Sequence, residues 1–302
     1  MKESFINNIR QIVGDTAALT DEPMDKHTTF RIGGPADLFV RPERTEQIIR
    51  ILDLCRQEEV PYFLLGNGSN LLVSDAGYRG VILQLDQNFQ ACRQEAGKIM
   101  AQSGLLLAKM ASLAREASLT GLEFASGIPG TVGGAVAMNA GAYGGEMRDI
   151  LQKVTVLAGD LEVRTLPVEE LDLGYRHSRI MDENWIVLEA EFALEEGDPE
   201  EIRTRMEELR TERQTKQPLE YPSAGSTFKR PEGYFAGKLI MDAGLAGFSA
   251  GDAQVSEKHC GFVINRGCAT AEDVCTLIEK VQERVQEQFG VLLEPEVRFL
   301  GF

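Results

Sequence analysis

The sequence is poor in the residues that metal centres, disulfide frameworks and nucleic-acid surfaces need. It has three histidines, His27, His177 and His259, none at the spacing of a ligand pair, so a zinc site is not expected. Its five cysteines are odd in number and contain no Cys-x-x-Cys, which reads most simply as the reduced thiols of a cytosolic protein. Cations are scarce: 31 Lys and Arg stand against 47 Asp and Glu, for a net charge of −16. That balance argues against nucleic acid or an anionic membrane as partner. No apolar run reaches transmembrane length, and the opening MKESFINNIRQIVG reads as a short amphipathic helix without a signal-peptide core. The expectation is a cytoplasmic monomer. Two phosphate-binding signatures are also missing, the Gly-Lys-Ser/Thr of a Walker A loop and the G-x-G-x-x-G of a Rossmann site.

What is abundant is glycine, and it is concentrated. The stretch Phe124–Gly145 (FASGIPGTVGGAVAMNAGAYGG) carries seven of the 30 glycines and no Asp, Glu, Lys or Arg. Glycine costs backbone entropy, so a folded chain places it where main chain must turn at positive φ or approach another body closely. An uncharged bed of this kind suits a large, flat, partly polar ligand. A close-packed structural turn region is the alternative. The second informative stretch is Gly66-Asn67-Gly68-Ser69-Asn70, between predicted strands Tyr62–Leu65 and Leu71–Val73. Successive N–H groups there can face one concavity and hold a phosphate; Asn-Gly is equally a hairpin signal.

The remaining pattern is mixed α+β, without regular βα alternation. Helices are expected over Lys2–Val13, Thr45–Glu59 with Thr45 as cap, and Leu105–Ala117. A helix capped by Asp198 with Pro199 at its first position buries Ile202, Met206 and Leu209. Shorter and longer helices follow at Phe235–Ala243 and after the capping box Thr270/Asp273. Residues Lys26–Arg41 read as two strands about Gly33-Gly34. Further strands are expected at Val81–Leu85, Ile99–Gln102, Val154–Ala158, Leu161–Leu166, Ile186–Leu194, Ala253–Ser256, Gly261–Asn265 and Glu296–Leu300. A chain of 302 residues, 43% hydrophobic, accommodates two domains. The boundary is placed near Gly197, giving 1–197, with lobes of about 1–82 and 83–197, and 198–302. Arg210–Lys238 has six basic residues against three acidic ones, a local excess that would favour an anionic ligand.

Eight runs converge on one family. TTFRIGGPAD (28–37), LGNGSNLLVSDAGYRGVI (65–82), GLEFASGIPGTVGGAVAMNAGAYGGE (121–146), YRHS (175–178), PSAGSTFKRP (222–231), AGKLIMDAGL (236–245), SEKHCGFVIN (256–265) and EPEVRFLG (294–301) stand in order along nearly the whole chain. In these the sequence resembles the UDP-N-acetylenolpyruvoylglucosamine reductases, in their compact subtype. The resemblance implies a two-lobed FAD-binding domain of the vanillyl-alcohol-oxidase type and a C-terminal α+β substrate domain whose last strand returns to the FAD domain. It implies that NADPH reduces FAD. Hydride then passes to C3 of UDP-GlcNAc-enolpyruvate, a proton reaches C2, and UDP-N-acetylmuramate results, a step of peptidoglycan synthesis. Another flavin oxidoreductase of this fold acting on a small alcohol, or a non-redox nucleotide-sugar-binding protein, are the other readings.

Carried over by motif, the catalytic residues are Ser226 as proton donor, Arg176 as partner of the enolpyruvyl carboxylate and Glu296 as a hydrogen-bond partner of the same group. Tyr175, Lys229, Arg230 and Lys238 are implied contacts of the sugar and diphosphate. Leu65, Gly66, Asn67, Gly68, Ser69, Asn70 and Leu71 are implied around the cofactor pyrophosphate. Ile128, Pro129, Gly130, Thr131, Gly133, Gly134, Ala135, Asn139 and Gly141 are implied in the flavin floor, with His259 touching the flavin. The sequence departs from the family at Ala246-Gly247-Phe248 and Ala250-Gly251-Asp252, where Lys-Gly and Ile-Gly-Gly are common. A missing lysine and an added carboxylate there bear on substrate binding.

Overall fold

The computed structural model describes all residues from Met1 to Phe302. The chain forms two compact units. The first comprises Met1–Leu19, Leu38–Asn67 and Gly80–Glu212; the second comprises Thr20–Asp37, Gly68–Arg79 and Arg213–Phe302. The expected boundary at Gly197 therefore differs from the observed one. The helix after Gly197 packs its Met206 against the first unit's core, and two early segments belong with the C-terminal third.

The helices of the first unit are α1 Glu3–Val13, α2 Thr45–Gln57, α3 Leu107–Glu116, α4 Val132–Ala137, α5 Arg179–Asp182 and α6 Pro199–Lys216, whose last turn passes into the second. Asp198 caps α6 as expected, its Oδ1 accepting from Glu200 N at 2.8 Å. Thr45 does not cap α2. The cap position is Arg44, and the Gln47 amide turns back to accept from Glu43 N at 2.8 Å. A five-stranded antiparallel sheet runs in the order Val163–Pro167, Leu151–Leu157, Ile186–Ala193, Lys98–Gln102, Cys92–Glu95. Val154, Val156, Ala190 and Phe192 of this sheet join Met110 and Val136 in one apolar core. Leu157, Ile186 and Leu188 join Phe5, Ile9, Ile48 and Ile51 in another, so the unit has two lobes that share strands. Burial of these side chains supplies the main stabilisation, roughly 1.5–3 kcal/mol for each large one.

The second unit holds α7 Ala236–Asp242 and α8 Ala271–Phe289. Its antiparallel sheet runs Ser223–Ser226, Phe262–Asn265, Ala253–Val255, Ser249–Ala250. The Thr270/Asp273 capping box of α8 is present. Asp75, far away in sequence, adds its carboxylate to the N–H groups of Ala271 and Glu272 at 2.9 and 3.1 Å. A carboxylate on unsatisfied first-turn donors is favourable in charge as well as in hydrogen bonding. The last strand, Arg298–Leu300, pairs in parallel with Leu71–Val73. That partner lies within residues 1–197, the span to which the last strand is expected to return, and both strands group with the second compact unit.

The segment Lys26–Arg41 contains one strand, Pro35–Val40, not two. Ahead of it, Met24–His27 forms a tight helical turn and the Thr28 hydroxyl donates to Ile32 O at 3.0 Å. Thr29 N donates to Gly68 O at 3.1 Å. The residues expected as strand are thus spent in a loop against Gly68.

On the central strand of the five-stranded sheet, Glu191 accepts from Lys153 at 2.8 Å and Lys98 at 2.9 Å. The hydrogen bonds from Lys153 and Lys98 hold its carboxyl below the ordinary value of 4.5. A depressed carboxyl stabilises the fold above the unfolded value and loses that contribution as pH falls through the folded one. Glu191→Gln should therefore cost about 1 kcal/mol at neutral pH. Denaturant melts should show the gap closing as pH falls below 4.5; a gap independent of pH would contradict the ion-pair account.

Candidate active site

In the first unit the glycine stretch is a main-chain bed, as a ligand floor requires. Thr131 N-caps α4, its hydroxyl accepting from Gly134 N at 3.4 Å. Leu105 O and Ser103 O accept from Val132 N and Gly133 N, each at 2.8 Å. A Cβ on Gly133 would lie 2.7 Å from Ser103 Cβ, and one on Gly66 would lie 2.5 Å from Thr131 Oγ1. Glycine is therefore required at both by close approach. Asn67 ties the two loops together by donating to Pro129 O at 2.7 Å. Gly127, Pro129, Gly134 and Gly144 are exposed along the uncharged run. The buried Ser103 hydroxyl beside it makes no hydrogen bond within the chain. An uncharged surface of exposed main chain with an orphan hydroxyl fits a flat aromatic cofactor. A cavity of about 520 Å³ lined by Leu52, Cys55, Tyr62 and Ile186 contains none of the expected residues. Burial pushes the Cys55 thiol there up to about 12, so it is unreactive.

Arg176 also lies in the first unit. Gly174 and His177 exchange main-chain bonds at 3.1 and 3.4 Å around a two-residue turn made of Tyr175 and Arg176. Arg176 has φ +53°, the left-handed region, which costs a non-glycine residue about 1–2 kcal/mol. Its guanidinium lies 5.2 Å from the Tyr175 ring centre, a cation–π distance.

The second unit brings Ser226, Glu296 and Asn70 together. Gly225 at φ +75° and a register shift between Ser223 and Ser226 form a bulge that re-aims Ser226. The next residue, Thr227, is buried: its hydroxyl accepts from Val263 N at 2.9 Å, its N–H donates to Gly261 O at 2.8 Å, and its carbonyl accepts from Glu296 N at 2.8 Å. Asn70 closes the other side, donating from Nδ2 to Glu296 O at 3.1 Å and accepting from Arg298 N at 3.1 Å. Ser226 and Glu296 thus share one rigid frame of main-chain bonds, and both remain partly accessible.

The expected anion contacts are exposed and engaged with neighbours. Lys229 meets Glu294 at 3.2 Å, Lys238 meets Asp242 at 2.7 Å, and Arg230 stacks 4.0 Å from the Phe235 ring centre. Such surface pairs are weak. Asp252, the added carboxylate, accepts from Cys268 N at 2.8 Å and so holds a neighbouring loop. Asn139 differs from its expected part. Its side chain is buried and spent on Glu146, Gly174 and Arg148. Ser103, beside Gly133, is the one buried hydroxyl next to the bed without a partner, and nothing local in the sequence signals it.

The fold and bed define a flavoprotein class. A family model described as an FAD binding domain matches residues 36–166. p-Cresol methylhydroxylase shares the fold, at TM-score 0.51 and 17% identity over 65% of this chain and 44% of its own. A second family model, the C-terminal domain of UDP-N-acetylenolpyruvoylglucosamine reductase, matches residues 217–300. The chain is 54% identical to the UDP-N-acetylenolpyruvoylglucosamine reductase of Agathobacter rectalis, over 100% of this chain and 99% of the relative. It is 50% identical to that of Caldanaerobacter subterraneus subsp. tengcongensis, with coverage of 100% and 99%. The crystal structure of the reductase from Thermus caldophilus superposes at TM-score 0.80 with 38% identity, over 94% of this chain and 98% of that one. The chain belongs to the UDP-N-acetylenolpyruvoylglucosamine reductase family.

His259 is half-buried, and its Nδ1 accepts from Gly261 N at 3.2 Å, which places the ring proton on Nε2. Burial lowers its titration below the ordinary 6.5, against a smaller opposing backbone hydrogen bond. The folded state therefore favours the neutral ring, and its contribution to stability is lost as pH falls below 6.5 toward the folded value. NMR titration should show a midpoint below 6.5; a midpoint above it would contradict the buried, neutral assignment.

Proposed function

We propose that this chain reduces UDP-GlcNAc-enolpyruvate to UDP-N-acetylmuramate, with FAD bound on the glycine bed and NADPH as electron donor. The observation that carries this reading is the frame in which Thr227 O accepts from Glu296 N at 2.8 Å. It ties the main chain next to Ser226 to that of Glu296 within the unit that includes the match to the family's C-terminal domain. Residues Leu65–Leu71, Ile128–Thr131, Gly133–Ala135 and Gly141 would hold the cofactor, through main chain and small side chains. FAD, when bound, would supply the two-electron chemistry that links oxidation of NADPH to reduction of the enol ether at C3.

The chain's own groups then manage charge and protons. Arg176 pairs with the enolpyruvyl carboxylate and offsets the negative charge that spreads into it. Ser226 Oγ gives its proton to C2. That centre is carbanion-like and strongly basic, so a weakly acidic hydroxyl suffices as donor. Glu296 shares a hydrogen bond with the same carboxylate, which requires a proton between the two groups. Lys229, Arg230 and Lys238 offer cations to the diphosphate, and Tyr175 offers a ring and a hydroxyl to the sugar. A cytoplasmic monomer completes the reading.

Ser226→Ala separates the steps. Rapid mixing should show reduction by NADPH near the wild-type rate. Reoxidation by UDP-GlcNAc-enolpyruvate should slow by a factor on the order of 10²–10⁴, the usual contribution of a positioned proton donor. Reoxidation at the wild-type rate would remove Ser226 from the mechanism. A variant that binds FAD but is reoxidised by oxygen alone, in common with the wild type, would overturn the substrate.

A further inference from the structure

The Arg176 turn cannot hold itself. Two main-chain bonds close it, and Arg176 sits in it at φ +53°. Its fixity must come from outside, and three side chains supply it. Arg148 Nη1 donates to Leu173 O at 3.2 Å, Asn139 Nδ2 donates to Gly174 O at 3.1 Å, and Ser178 Oγ donates to Ala137 O. Asn139 is the hub. Its Oδ1 accepts from Arg148 N at 3.0 Å and its Nδ2 also donates to Glu146 Oε2 at 2.9 Å.

The orientation of this amide is unambiguous. Arg148 N can only donate and Gly174 O can only accept, so a flipped amide would face both wrongly. The side chain is 1% exposed and has spent three of its four hydrogen-bonding sites. It has no reach left for a ligand.

We infer that Asn139 is a positioning residue for the reduction. It fastens the Tyr175-Arg176 turn to the end of the glycine bed, and so fixes where the Arg176 guanidinium meets the substrate carboxylate. This rests on the reading of Arg176 as the carboxylate partner.

The test uses the FAD-loaded full-length protein, with NADPH and UDP-GlcNAc-enolpyruvate as probes. Asn139→Gly accepts the left-handed backbone, φ +43°, and deletes all three side-chain bonds. Asn139→Asp keeps the size and the bond from Arg148 N but loses both donors. For both, the flavin spectrum and the rate of reduction by NADPH should stay near wild type. Flavin reoxidation by substrate should slow by about 10²-fold, the scale of a 1 Å misplacement of a catalytic group. In an Arg176→Ala background the Asn139 substitutions should add nothing, because the group they position is gone.

Three results would overturn the inference. Reoxidation at the wild-type rate in both variants is one. An equal slowing with and without Arg176 is the second, because it marks general damage to the fold. Loss of bound FAD from both variants is the third, because it places Asn139 in the cofactor floor itself. A failure of the underlying reading looks different: Arg176→Ala alone would then leave reoxidation unchanged.

Discussion

Close packing at two glycines of one loop is the constraint on which the cofactor bed depends. Gly66 lies where an added Cβ would come within 2.5 Å of the Thr131 hydroxyl, in the first unit. Gly68, at φ +61°, lies where a Cβ would come within 2.0 Å of His27 O, in the second. Neither position tolerates a side chain, and their neighbours depend on that. Asn67 reaches Pro129 O, Gln84 reaches Gly66 O, and Thr29 N reaches Gly68 O. Main chain packed this closely is already ordered, so a ligand laid on it pays little further entropy.

The frame of the proposed chemistry is built by the same economy. No helix of the second unit presents Ser226 or Glu296. A bulge at Gly225 turns one, and a non-helical tail carries the other, with Thr227 joining them through its carbonyl. The N–H, the carbonyl and the hydroxyl oxygen of Thr227 are all bonded inside this frame, so it holds position while its neighbours stay accessible. Sites fixed by main-chain bonds keep their geometry better than sites fixed by long side chains, which must lose rotamer freedom to do so.

Much of this was legible in the sequence because the signals were local. The periodicity of α8, the Asp198-Pro199 start of α6 and the glycine density of the bed each depend on residues within a few turns. What was not legible depends on distant partners. Nothing near Ala271 shows that Asp75 caps its helix. The alternation in Lys26–Arg41 suggested two strands, but the contact of Thr29 with Gly68 decided the first of them otherwise. Asn139 was placed in the flavin floor by the resemblance alone, which carries over a motif position but not the partners of its side chain. Its partners Glu146, Arg148 and Gly174 come together only in the fold. Ser103 gave no signal at all, since a lone serine after a strand is ordinary.

The central claim is that the bed carries a flavin that serves the enolpyruvyl sugar nucleotide. The visible spectrum of the purified wild-type protein, followed without oxygen, tests it most directly. The account predicts a flavin band that bleaches on adding NADPH and returns on adding UDP-GlcNAc-enolpyruvate. A colourless protein that cannot be reconstituted with FAD would contradict it.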